Sequence, residues 1–136
     1  MTSYAIPYVT TRTPQGERTV DVYSRLLAER VVYLGTGIDD GVANAIIAQL
    51  IHLESDNPDR PIDLYINSAG GSIQATLAIY DAMQYIRPQV STTCVGEAVA
   101  SAAMLLAGGA AGRRQMLPHG RVVIHAPAAQ GRGAIP

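Results

Sequence analysis

The chain has 136 residues, a formal net charge of -1, 48% hydrophobic residues and 15% charged ones. That length suits one domain burying about two thirds of its unfolded surface, and the composition excludes both a disordered chain and the basic footprint of a nucleic-acid-binding module. So sparing a use of charge fits a subunit that hides much of its exterior against copies of itself, or a deeply buried parallel sheet.

In chain order, "MTSYAIPYVTTRTPQGER" has no apolar core of signal-peptide length, and no later segment approaches about 18 uninterrupted apolar residues. A soluble cytoplasmic protein with no membrane partner is expected. Two prolines and the "PQG" turn signal make residues 1–18 read as an irregular arm. "RVVYLG" (30–35) reads as a buried strand. "DDGVANAIIAQLIHLES" reads as a helix capped by Asp39 or Asp40, with Val42, Ile46, Gln49 or Leu50, and Leu53 at helical spacing. "IDLYIN" (62–67) is a second strand and "SAGGS" a glycine turn. Residues 73–86 form a helix with Ile73, Leu77 and Tyr80 on one face, widened by Ile79, Met83 and Ile86, and stopped by Pro88. "VSTTCVG" (90–96) is a third strand, "AVASAAMLLAGG" (98–109) an apolar helix, and "RVVIHAP" (121–127) a last strand. Four strands separated by three helices predict an α/β fold with right-handed crossovers and a mainly parallel sheet flanked by helices. The lone Cys94 lies in an apolar run and reads as a small buried hydrophobe.

Ligands of parallel α/β sheets collect at the carboxyl ends of the strands, and three such ends carry reactive residues: "NSAGGS", "VGEAVAS" and "IHAP". Acyl transfer needs a nucleophile, a base and donors aimed at the developing oxyanion. Ser101, in the first turn of its helix, would be the nucleophile and His125 the base. The N–H groups of Ala102 and Gly71 would be the oxyanion donors, since a helix start leaves N–H groups unpaired and glycine lets the backbone approach closely. His52, mid-helix, and His119, in "LPHG", have no partners at metal-ligand spacing, and no metal site is expected. GxGxxG, GxxxxGK[ST] and HExxH are all missing from the sequence, which argues against nucleotide or zinc chemistry.

In order, "GERTVDVYSRLLAERVVYLGTGIDDGVANAIIAQLIHLES", "IDLYINSAGGSI", "IYDAMQYIRPQVSTTCVGEA" and "LPHGRVVIHAP" resemble the proteolytic subunit of the Clp protease, ClpP, over essentially the entire chain. The resemblance implies a ClpP/crotonase-type spiral of β-β-α units and a self-compartmentalising serine peptidase whose rings of like or paralogous subunits stack in pairs. It implies an AAA+ ATPase partner that threads unfolded polypeptides in, so ATP is used by the partner and no cofactor is expected here. It matches Gly71 to an oxyanion-hole glycine and His125 to the base. It also matches residues 1–18 to an axial gating arm, 19–136 to the head domain, and Tyr65 and Tyr85 to an apolar docking cleft between subunits.

The resemblance departs in three places. Ala69 stands where the family usually has proline. The spacing from Gly96 to Ser101 is one residue longer than the family's, so a gapless register puts Ala100 on the nucleophile position. A register with one extra residue in the turn at Glu97–Val99 puts Ser101 there instead. Finally, the family continues past "AAQGRGAIP" through a handle helix to the aspartate that orients the histidine, so a truncated chain is expected, with that aspartate supplied from outside it. The rival expectations are a catalytically silent ring subunit and, less close, a crotonase-like acyl-CoA enzyme.

Overall fold

The computed structural model describes residues 5–125. Two antiparallel strands, β1 (Tyr8–Thr13) and β2 (Gly16–Asp21), come first, followed by α1 (Val22–Ala28). Then come β3 (Val31–Leu34), α2 (Asp40–Asp56), β4 (Ile62–Ser68), α3 (Ile73–Tyr85), β5 (Val90–Val99), α4 (Ser101–Ala107), β6 (Arg114–Met116) and β7 (Arg121–Val123). The sheet runs β3-β4-β5-β6 with every neighbouring pair parallel, and β7 joins the same edge of β5 farther along the strand. The expected mainly parallel α/β fold is what the chain adopts.

Its core lies on one face of the sheet. Val32 and Leu34 of β3, Ile62, Leu64 and Ile66 of β4, and Val90, Thr92 and Cys94 of β5 point into it and are buried. Alternate residues such as Tyr33, Tyr65 and Thr93 face the other way and are only half-buried, as the period-2 pleat requires. Against the buried face α2 lays Ala43, Ile46, Leu50 and Leu53, while Asp39 accepts from the Val42 N–H at 2.8 Å and starts the helix. α3 contributes Ala75, Thr76, Ile79 and Met83. Its inner face is therefore the one expected only to widen the stripe; Ile73 is 46% exposed.

Residues 8–21 form a hairpin where an irregular arm was expected. Its strands carry threonine pairs such as Thr10–Thr19, whose hydroxyls lie 2.9 Å apart, rather than a hydrophobic face. α1 buries no residue and is capped by Asp21, which accepts from the Ser24 N–H at 3.0 Å. β5 reaches Val99 instead of stopping at Gly96, because Glu97, Ala98 and Val99 are paired with β7. Residues 126 and 127 of the expected last strand lie outside the described residues.

Arg30 joins α1 to β3 with a φ of 66° and is only 2% exposed. Its guanidinium donates to the carbonyls of Leu53 (3.0 Å), Asn57 (2.7 Å), Arg60 (2.8 Å) and Pro61 (3.2 Å). Asp56 lies 3.7 Å from it. A buried cation thus supplies donors to carbonyls at the end of α2 and in the loop that follows it, and complements the helix dipole there.

Candidate active site

The parallel sheet brings the turn after β4, the turn after β5 and the residues after β7 to one end. Between β4 and β5 the register shifts, since Ile66 faces Cys94 but Ser68 faces Ala98. Bulges of this kind bend a strand and re-aim the residues beyond the bend. Here it falls at Gly96, whose φ is 81° and where an added Cβ would stand 2.7 Å from Asn67 Oδ1. From there Glu97, Ala98 and Val99 pair with Arg121, Val122 and Val123.

The chain turns from strand to helix at Ala100. Its φ is 56° and its ψ -117°, a conformation that costs an alanine about 1–3 kcal/mol and persists only where surroundings enforce it. The enforcing contacts are the Ala100 N–H donating to the Val123 carbonyl at 2.8 Å and the Ala100 carbonyl accepting from Ala103 at 3.0 Å. A strained strand-to-helix turn is the geometry that presents a side chain at the top of an α/β sheet. Ser101 follows as the first residue of α4, with Ala102 buried behind it.

On the other side of the cleft, Gly71 pairs with Ile38. The Ile38 N–H donates to Gly70 O at 3.0 Å and the Ser72 N–H to Ile38 O at 2.9 Å. A Cβ on Gly71 would lie 2.2 Å from Ile38 O, so no other residue fits without moving the backbone. The Gly71 N–H points away from this bridge and donates to Ser101 Oγ at 3.1 Å. Donor and hydroxyl, both sequence candidates, therefore meet directly.

Gly71, Ala100, Ser101 and His125 line one cleft of about 580 Å³. His125 is exposed at its rim, two residues past β7. Ile73, Ala103, Met104, Ala107 and Ile124 complete an apolar wall that sequence reasoning did not collect, because those residues come from three separate elements. Ala102, buried in the first turn of α4, is not among the lining residues. Tyr85 is 87% exposed beside Asp81 and Gln84, in a shallow depression. Tyr65 lies on the half-buried sheet face and does not line that depression.

Cys94 is fully buried and burial pushes its thiol pKa up, so it packs as a hydrophobe. His52 and His119 are both exposed. Among the described residues no three His, Cys, Asp or Glu side chains cluster as a metal-holding set, and no helix is long and apolar enough to cross a membrane.

A family model described as Clp protease matches residues 14–135. The chain is 61% identical, over its full length and 70% of the relative's, to ATP-dependent Clp protease proteolytic subunit 1 of Nocardia farcinica. It is 56% identical to proteolytic subunit 4 of Rhodococcus jostii, over 99% of this chain and 70% of that one. It is 59% identical to proteolytic subunit 2 of Streptomyces avermitilis, over 97% of this chain and 66% of that one.

Proposed function

The chain belongs to the Clp protease family, and from that premise we propose that it is a proteolytic subunit of an ATP-dependent Clp-type protease, cutting unfolded polypeptides by acylation of a serine. In this reading Ser101 attacks the scissile carbonyl. His125 takes the hydroxyl proton and returns it to the leaving amine, and the N–H groups of Gly71 and Ala102 hold the oxyanion. Water then releases the acyl group. The observation that carries the reading is the convergence of Ser101, Gly71 and His125 on one cleft at the carboxyl ends of parallel strands.

The subunit works in rings with copies or paralogues of itself, in the cytoplasm. An AAA+ partner spends the ATP, and this chain holds no cofactor. The N-terminal arm faces the axial pore, and Tyr65 and Tyr85 belong to the cleft where the ATPase docks.

Fluorophosphonate labelling tests the catalytic assignment. A tag on Ser101 that disappears in Ser101→Ala supports it; no tag on the assembled ring refutes it. A silent ring subunit is the second reading, favoured by one feature: Ala100, rather than Ser101, has the strained strand-to-helix conformation. Its signature is ring formation with active paralogues and no tag on this chain.

A further inference from the structure

We infer that the Glu97–Arg121 ion pair is a positioning device that holds the strand bearing His125 in register with the strand bearing Ser101; this rests on the peptidase reading above. Arg121 Nη2 donates to Glu97 Oε1 at 3.0 Å, and the two residues face each other in the first rung between β5 and β7. Ser101 lies four positions after Glu97, and His125 four positions after Arg121. Whatever fixes this rung fixes how far both reacting side chains reach into the cleft.

β7 needs such a device. It has three residues, and its side chains bury little: Arg121 and Val122 are exposed and Val123 is half-buried. Ile124, which follows it, is 80% exposed. Register in a sheet is well specified where one face is buried and weakly where neither is. A slip of one residue would carry His125 about 3.3 Å along the sheet and turn its side chain to the opposite face. In the slipped register Arg121 would face Gly96 or Ala98, neither of which has a carboxylate. The pair thus selects one register out of several that the backbone hydrogen bonds alone barely distinguish.

An exposed pair of this kind is modest in energy, so the expected effects are modest as well. Glu97→Gln and Arg121→Gln should each slow fluorophosphonate labelling of Ser101 about two- to fivefold, the range of an exposed ion pair. Each should speed hydrogen exchange at the Ala100 amide, which donates to Val123. They should also shift the His125 imidazole NMR resonances, with the thermal midpoint nearly unchanged. The reversed pair, Glu97→Arg with Arg121→Glu, should restore all three. Single variants indistinguishable from the parent, or a reversed pair no better than the singles, would overturn the inference. If the parent is never labelled, the peptidase reading fails on that result, and the exchange and imidazole-resonance measurements alone decide whether the pair sets the register.

Discussion

On the second reading, in which position 100 rather than 101 faces the base, moving the hydroxyl back by one residue, as Ala100→Ser with Ser101→Ala, should raise acylation rather than abolish it. Two geometric terms act in the same direction. One step along a helix rotates a side chain by about 100° and shifts it by about 1.5 Å, and a misplacement of about 1 Å costs on the order of a hundredfold in rate. Position 100 is the strained junction whose side chain the turn presents to the cleft. The second term concerns Gly71, whose N–H is engaged by Ser101 Oγ at 3.1 Å. Removing that hydroxyl frees the donor for a developing oxyanion, and one such donor is worth about 10²–10³ in rate. Groups that act as a unit do not add, so the expected gain is at least about a hundredfold, or some 2.7 kcal/mol of barrier. Stability should barely change, because alanine already bears the strain at this φ. The assay is the second-order rate of fluorophosphonate labelling, with the modified residue located by peptide mass; Ala100→Ser alone separates the two terms. A doubly substituted protein that melts like the parent yet is labelled no faster would refute the argument, as would a tag found away from residue 100.

Other regions yield further predictions. Arg30→Met keeps the aliphatic stem but removes the guanidinium from four carbonyls, of which, among the described residues, only Leu53's keeps another donor, the Asn57 N–H, so it should cost about 2–4 kcal/mol in urea unfolding; Arg30→Lys should recover less than half of that, and a loss below 0.5 kcal/mol, roughly the noise of a surface substitution, would contradict the account. Asp21 is held below the ordinary carboxylate range, first by the Ser24 hydroxyl and then by the Ser24 N–H. Because its folded-state pKa is depressed, its contribution is present above the unfolded value and fades as pH falls through the folded one. Ser24→Ala should raise the Asp21 midpoint followed by carboxylate NMR, and an unmoved midpoint would discount the hydroxyl. Cys94 should ignore a disulfide reagent at pH 8 until denaturant is added; rapid reaction of the folded protein would mean that its site opens.

What could be read in advance divides along physical lines. Asp39, the helix over 40–56 and the strands at 31–34 and 62–67 were legible because burial imposes periodicity and capping uses recognisable side chains. The 8–21 hairpin was not, since its threonines pair with one another at the surface and leave no alternation to detect. "AVAS" reads as the start of a helix by composition, yet Ala98 and Val99 are part of a ladder and Ala100 has a positive φ. Tertiary pairing with β7, which lies some twenty residues away, overrides a local preference there. The site candidates Ser101, Gly71 and His125 were found because strand ends in parallel sheets gather ligands. Glu97–Arg121 was missed, for a salt bridge between distant strands leaves no mark in either stretch. Arg30 was missed as well, since nothing local separates a clamp from an ordinary surface arginine.

That clamp also determines how load travels through the molecule. The N-terminal hairpin reaches the sheet through α1, which buries no residue, and then through Arg30, which is fastened to four carbonyls between Leu53 and Pro61. A pull on the arm should therefore peel the hairpin and unwind α1 first, and stall at residue 30 before β3 shifts. Strain applied to the hairpin should thus reach the sheet that holds the cleft only after α1 has given way.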